Sequence, residues 1–336
     1  MNRRSLPLLL LPVLVLTACR SQTAAQPSPA PLEVRTEARR LAAAQLGTLE
    51  PQLSAEEHDQ VLRLLECLVP LRQARASDGR WELSAEESRL VEELNQFYEG
   101  CTSRYLGEPD HWSADEGKIQ SLAGYDIEGD GALKATDGED AYRPLWDLVQ
   151  ALLPEGSLDA FRRFTIFTDG VDEILAYVVP VDEAGTQWEL AVDPQDTEDL
   201  SSFTETVLHE YSHYLTLNDA QVTYGGTPRF DCYSEPGMVC LPESYLNAFY
   251  QSFWQDYLDD RLAAPDSSGF YLRHPDDFVT GYAATSPSED IAESFAFFVL
   301  ADRAEGDAVW EQKLNFFYAY PELVTFRDQT RAQLGL

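Results

Sequence analysis

The sequence predicts an α+β protein, in which a mainly helical N-terminal region is followed by a small antiparallel sheet and then by further helices. Between residues 34 and 105, apolar residues recur three and four positions apart, which is the spacing of amphipathic helices. Residues 163–193 are instead rich in β-branched and aromatic residues and contain turn signals, as strands do. Helical spacing returns after residue 202. This order of elements is typical of the α+β class.

The composition limits the class of protein. The chain has 336 residues, and 58 Asp and Glu against 24 Lys and Arg give a formal charge of −34. Nucleic acids and anionic lipid head groups repel such a chain, so we expect no nucleic-acid partner. Hydrophobic residues make up 44% of the chain, which is enough for one large core or two smaller ones and excludes a disordered acidic tail.

The N-terminus predicts a lipoprotein signal peptide at residues 1–18. Two arginines precede an apolar run that is too short to span a membrane, and small residues follow. Residues 16–19 (Leu-Thr-Ala-Cys) resemble the lipobox of bacterial lipoproteins, which implies acylation of Cys19. Residues 19–33 would then be the lipidated cysteine and a flexible tether. The expected location is extracytoplasmic, anchored in the inner or the outer membrane, and an ordinary secretion signal is the alternative.

Export also affects the other cysteines, because thiols outside the cytoplasm tend to oxidise. The four that remain after Cys19 can pair in three ways. The most local pairing joins Cys67 to Cys101 and Cys232 to Cys240, and this is the pairing that we expect. A structural zinc site is disfavoured because no two cysteines have the CxxC spacing.

Within residues 34–160, the predicted helical region, residues 126–137 resemble an EF-hand calcium loop. Glycine stands at loop position 6, and acidic residues stand at positions 1, 3, 5 and 12: Asp126, Glu128, Asp130 and Asp137. Carboxylate oxygens are hard ligands that Ca²⁺ prefers, and the glycine permits the sharp turn. Helical patterns at 113–123 and 142–153 favour this interpretation. Lys134 at position 9 and Asp at position 12 depart from the pattern, and an acidic surface loop is the alternative.

The helix predicted after the sheet contains an HExxH motif, formed by His209, Glu210 and His213. Four residues advance an α-helix by about 400°, so both imidazoles face the same way and can share one metal ion. Glu210 then lies beside the water on that metal and can act as a general base. The alternative is a surface helix with two solvated histidines. A preceding strand and apolar neighbours argue against that alternative.

A tetrahedral zinc ion with an open catalytic position needs a third protein ligand. Asp219 lies six residues after His213, but Thr216 stands where a glycine would be needed for the chain to turn. His274 is a ligand by type, although its charged neighbours predict an exposed loop. Glu289 begins another predicted helix and is the third candidate.

Ser286 is the predicted N-cap of that helix. Glu293 follows Glu289 by one helical turn, so it can accept the free ring N–H of a zinc-bound histidine.

Tyr282, Glu289 and Glu293 stand in an order that, together with HExxH, resembles the C-terminal catalytic domain of anthrax lethal factor and the bacterial Pro-Pro endopeptidases. The resemblance spans roughly residues 163 to 302 and does not cover residues 34–160. It implies a zincin-like catalytic domain at residues 161–336, of the gluzincin type. In that family the tyrosine assists the transition state, the first glutamate binds zinc and the second supports the site. The long segment 214–281 departs from the family.

The expected function is therefore a zinc-dependent endopeptidase that hydrolyses proteins or peptides outside the cytoplasm. His209, His213 and Glu289 would bind zinc, Glu210 would be the general base, and Tyr282 would stabilise the oxyanion. The alternative is a catalytically silent surface lipoprotein that binds zinc, and calcium at the loop beginning with Asp126.

Overall fold

The computed structural model describes residues 30–108, 118–170, 174–197, 199–258, 261, 264 and 266–336. The predicted signal peptide at 1–18 and the predicted lipidation site Cys19 lie outside the described residues. Within the described ranges, no helix is long and apolar enough to cross a membrane. The described helices and strands belong to the α+β class that the sequence predicts.

The N-terminal helices form a core of their own. They are α1 (Leu32–Leu46), α2 (Ala55–Ser77) and α3 (Ala85–Tyr105). At the start of α2, the Ser54 hydroxyl accepts the N–H of Glu57, whose carboxylate in turn accepts the N–H of Ser54. Ser84 and Glu87 form the same capping box at the start of α3. The prediction of helices between residues 34 and 105 is confirmed.

A mixed sheet carries the larger core. Its strands are β1 (Gln120–Ile127), β2 (Leu133–Gly138), β3 (Phe161–Thr168), β4 (Ala176–Pro180) and β5 (Trp188–Val192). They lie in the order β2-β1-β3-β5-β4, with β3 parallel to β5 and the other neighbours antiparallel. Strands β3, β4 and β5 lie close to where the sequence predicts three strands, at residues 163–193, but the sheet also contains β1 and β2 and is mixed, so the prediction of a small antiparallel sheet is wrong. The predicted boundary after residue 160 is also wrong, because β1 pairs with β3 across it.

Further helices and a smaller sheet complete the larger core. The helices are α4 (Arg143–Leu152), α5 (Leu200–Leu217), α6 (Tyr245–Phe253), α7 (Ser268–Arg273), α8 (Pro287–Leu300), α9 (Val309–Phe316) and α10 (Pro321–Leu334). The strands of the smaller sheet are β6 (Val222–Tyr224), β7 (Ser234–Glu235) and β8 (Met238–Cys240). Helix α5 packs against both α8 and β4. The HExxH motif on α5 therefore lies next to the helix that carries Glu289 and Glu293.

Residues 126–137 form a β-hairpin and not the helix–loop–helix that the EF-hand prediction requires. Residues 120–123, predicted as part of the preceding helix, lie in β1, where buried side chains recur at every second position. Gly131, at φ +80°, lies in the turn that joins β1 to β2. Within the described residues, the acidic side chains form no group close enough to share an ion: Asp126, Glu128, Asp130 and Asp137. The EF-hand prediction is therefore wrong.

The structure also contradicts the predicted disulfides, since Cys67, Cys101, Cys232 and Cys240 are free thiols. Sγ of Cys101, on α3, lies 3.9 Å from the carboxylate of Glu57. Glu57 precedes Cys67 by ten residues on α2, about 15 Å along the helix, so the two thiols are far apart. In the β7–β8 hairpin, the N–H of Cys240 donates to the carbonyl of Tyr233. Cys232 lies in the bend before β7 and is buried, as Cys240 is, but the two sulfur atoms are not bonded.

The N-terminal helices dock on α7 through a polar contact. The side chain of Arg273 is fully buried there, 3.2 Å from Glu99 and with its guanidinium 5.1 Å from the ring centre of Tyr98. The main-chain carbonyl oxygen of Gln45 lies 3.1 Å from Nε2 of His274, the residue that follows α7. The two cores are thus joined by buried hydrogen-bonding groups that must stay paired.

Replacing Gly47 with alanine is expected to destabilise the protein by more than about 1 kcal/mol. Gly47 lies at this contact with φ +50°, and a Cβ atom there would approach the Arg273 carbonyl oxygen to 2.2 Å. Gly79→Ala is the matched control, because Gly79 has φ +63° but no atom within 4 Å of the added Cβ. Urea denaturation compares the two variants. Equal losses of stability would contradict the close contact at Gly47.

Candidate metal centre

Helix α5 carries the HExxH motif, and helix α8 carries Glu289 and Glu293. Asp199 is the N-cap of α5, and its carboxylate accepts the N–H groups of Ser201 and Ser202. Ser286 is the N-cap of α8, as the sequence predicts, and its hydroxyl accepts the N–H of Glu289. These caps fix where the two helices start.

Three ligand atoms from the two helices form a nearly equilateral triangle. Nε2 of His209 lies 3.1 Å from Nε2 of His213 and 3.1 Å from Oε2 of Glu289. Nε2 of His213 lies 3.3 Å from the same carboxylate oxygen. Ligands about 2.0–2.1 Å from a tetrahedral zinc ion are about 3.3–3.4 Å apart, so the three side chains fit that ion. Within the described residues, no other group of His, Cys, Asp or Glu side chains is arranged to hold a metal.

Glu293 orients the first histidine of the triangle. Its Oε1 lies 2.8 Å from Nδ1 of His209, and its Oε2 accepts the hydroxyl of Thr280 at 2.7 Å. A ring N–H donated from Nδ1 leaves the Nε2 lone pair free for a metal. Sequence reasoning anticipated the contact of Glu293 but missed Thr280, which belongs to no motif.

The electrostatics of the triangle favour positive charge. Burial alone would lower the pKa of His209, but hydrogen bonds to Glu289 and Glu293 raise that pKa to about 10. Burial alone would raise the pKa of Glu289, but the two imidazoles hold it well below its usual range. The carboxylates thus favour a cation at this point, which is the charge that a divalent metal ion brings.

Glu210 lies on the side of α5 that faces β4. It is 8% exposed, and the backbone N–H of Val178 donates to its carboxylate. Burial raises the pKa of this carboxyl, although the imidazoles and the Val178 N–H act in the opposite direction. Glu210 and His209 line a cavity of 380 Å³ between α5 and β4. A raised pKa suits a group that accepts and returns a proton near neutral pH.

Tyr282 lies at the edge of the same cavity. Its side chain is half exposed, and its ring centre lies 5.9 Å from that of His209. Burial, followed by the charges of Glu289 and Glu210, raises the pKa of the Tyr282 phenol. The hydroxyl therefore keeps its proton and can donate a hydrogen bond.

The other candidate ligands lie away from the triangle. Asp219 is exposed beyond the end of α5. His274 is buried, with Nδ1 3.2 Å from Asp277 and its ring stacked on Tyr257, so the prediction of an exposed loop is wrong. Among the candidates weighed from the sequence, Glu289 alone joins the two histidines.

The smaller sheet supports the start of α8, which the sequence does not predict. Oε1 of Glu235 accepts the hydroxyl of Tyr233 at 2.7 Å and also the hydroxyl of Ser288. Ser288 is buried and directly precedes Glu289. The segment 214–281 therefore contributes to the position of the triangle.

Comparisons of this chain with family models, with curated proteins and with solved structures found no match.

Replacing Glu293 with alanine is expected to weaken the affinity for zinc by about 10–100-fold, because the ring of His209 loses the acceptor that orients it. Competition with a chelator of known affinity measures the dissociation constant. Glu183→Ala, which removes an exposed carboxylate before β5, is the control. Equal zinc affinities in the Glu293→Ala and Glu183→Ala variants would contradict the orienting role of Glu293.

Proposed function

We propose that the protein is a zinc-dependent endopeptidase, with His209, His213 and Glu289 as the zinc ligands. The observation that carries the proposal is the triangle of their ligand atoms, with sides of 3.1, 3.1 and 3.3 Å. Glu210 and Tyr282 border the cavity beside that triangle, which supports a catalytic and not merely structural metal. The resemblance to anthrax lethal factor and the Pro-Pro endopeptidases favours the same zincin-like assignment.

The proposed reaction is hydrolysis of a peptide bond by water. Zinc, when bound, supplies a Lewis acid that polarises the carbonyl group and lowers the pKa of water. The carboxylate of Glu210 accepts a proton from the water whose oxygen bonds to the carbonyl carbon. The same carboxyl group then gives that proton to the amide nitrogen as the C–N bond breaks. The Tyr282 hydroxyl donates a hydrogen bond to the carbonyl oxygen as negative charge develops there.

The proposed substrates are proteins or peptides outside the cytoplasm. The lipobox-like residues 16–19 support export and a membrane anchor at Cys19. The formal charge of −34 argues against nucleic acid as a substrate or partner.

Incubation of the zinc-loaded protein with a library of unfolded peptides tests the proposal, with mass spectrometry of the products. We expect cleavage that a chelator abolishes and that added zinc restores. His213→Ala, which removes one corner of the triangle, should show none. A protein that binds one zinc ion and cleaves no peptide would overturn the proposal and favour a catalytically silent zinc-binding lipoprotein.

A further inference from the structure

The cavity beside the triangle has walls of two kinds. One wall is apolar and comes from the start of β4 and the residues before it: Ile174, Leu175 and Ala176. The opposite wall is the first half of α5 and includes Glu205, four residues before His209. Residues four apart lie on the same face of a helix, so Glu205 and His209 face the cavity together. At 380 Å³, the cavity is in the size range of small-ligand pockets, about 300–1,000 Å³.

Glu205 is a half-buried carboxylate that has no role in the proposed hydrolysis of the peptide bond. Burial, followed by the charge of Glu293, raises the pKa of Glu205, while His209 acts in the opposite direction. Among the described residues, no lysine or arginine contributes to that shift. The imidazole of His209 is already hydrogen-bonded to Glu289 and Glu293, so among the described residues no lysine or arginine is left to form an ion pair with Glu205.

The cavity therefore matches a long side chain that is apolar along its stem and positively charged at its end. Lysine and arginine bury their methylene stems against apolar surface and keep the charged end beside polar groups. The apolar wall at Ile174 and Leu175 suits the stem, and Glu205 suits the charged end.

We propose that this cavity binds a lysine or arginine side chain of the substrate adjacent to the scissile bond, and that Glu205 determines this specificity by pairing with the charge. The inference rests on the proposed endopeptidase function and names its substrate class. The cavity borders both His209 and Glu210, so a side chain in it belongs to a residue whose peptide bond is within reach of the general base.

A series of otherwise identical peptides tests the proposal, with lysine, norleucine or glutamate on either side of the cleaved bond. For the zinc-loaded protein, we expect kcat/KM to be at least about tenfold higher for lysine than for norleucine, which has the same stem without the charge. In Glu205→Gln, kcat/KM should be about equal for the lysine and norleucine peptides. In Glu205→Lys, kcat/KM should be higher for the glutamate peptide than for the lysine peptide. Glu183→Gln, the same chemical change at an exposed site, should keep the ratio of the parent.

Peptide binding supplies a second measurement that does not depend on turnover. In the Glu210→Gln variant, calorimetry should give a Kd at least about tenfold lower for the lysine peptide than for the norleucine peptide. Cleavage of the series without a preference for lysine would overturn the inference and leave the proposed function standing. Cleavage of no peptide at all would overturn both. If the Glu205 variants do not fold, the ratio of kcat/KM between the lysine and norleucine peptides, measured on the parent protein, still tests the preference for lysine.

Discussion

Replacing Glu210 with glutamine is expected to lower kcat/KM by about 10²–10⁴-fold for any peptide that the protein cleaves. The amide keeps the size of the side chain but cannot accept a proton from water. Glu210 is only 8% exposed, and the Val178 N–H that donates to its carboxylate holds this proton acceptor in place beside His209. Steady-state kinetics on one cleaved peptide measure the effect.

Two controls separate catalysis from folding and metal binding. Glu210→Gln should bind zinc with nearly the affinity of the parent, because Glu210 is not part of the triangle. Glu183→Gln, at an exposed position, should leave the rate unchanged. A Glu210→Gln variant that cleaved as fast as the parent would show that the carboxylate is not the general base.

Replacing Lys313 with methionine is expected to destabilise the protein by about 3–5 kcal/mol. Nζ of Lys313 lies 2.6 Å from Oδ2 of Asp290, and both side chains are fully buried. The indole N–H of Trp254 also donates to this carboxylate, at 2.7 Å. Without the lysine, the carboxylate remains in the core with its charge uncompensated. Urea denaturation measures the change in the free energy of unfolding.

Two further variants test whether the lost ion pair is the cause. The double variant Lys313→Met with Asp290→Asn should recover most of the stability, because it removes both charges and keeps an acceptor for Trp254. Arg89→Met breaks two exposed ion pairs, with Glu86 and Glu93, and should still cost less than about 1 kcal/mol. A Lys313→Met variant as stable as Arg89→Met would contradict the role of the buried pair.

The parts of the site that the sequence predicted are those set by local geometry. His209, Glu210 and His213 share one helix, where spacing alone determines which way the side chains face. Glu289 and Glu293 likewise share one turn of α8, and Ser286 marks where that helix begins. The proximity of α5 to α8 was anticipated only through the resemblance, because no local pattern states which helices pack together.

The predictions that are wrong depended on distant partners. Residues 120–127 form a strand because β1 pairs with β3, whose residues lie 37–48 positions after their partners in β1. A short apolar run alone does not decide between helix and strand. The acidic pattern at residues 126–137 is local and was mistaken for a loop between helices. The cysteine pairing used separation along the chain, whereas the direction of each thiol depends on tertiary packing.

Thr280 and Glu235 were missed for the same reason, whereas Glu205 was missed although a local signal was present. Thr280 and Glu235 act through contacts with residues on α8 that are remote in sequence. Glu205 lies on α5, four residues before His209, and that spacing could have identified it as a neighbour of the proposed metal site. The specificity proposed for it depends also on the apolar wall at the start of β4, which no local pattern predicts.

The central claim is that one zinc ion in the triangle of His209, His213 and Glu289 makes the protein an endopeptidase. Its most direct test is the hydrolysis rate of one cleaved peptide as zinc is added in steps to metal-free protein. We predict a rate that rises in proportion to added zinc and stops rising at one equivalent per chain. A full rate before any zinc is added, or no hydrolysis at one equivalent, would contradict the claim.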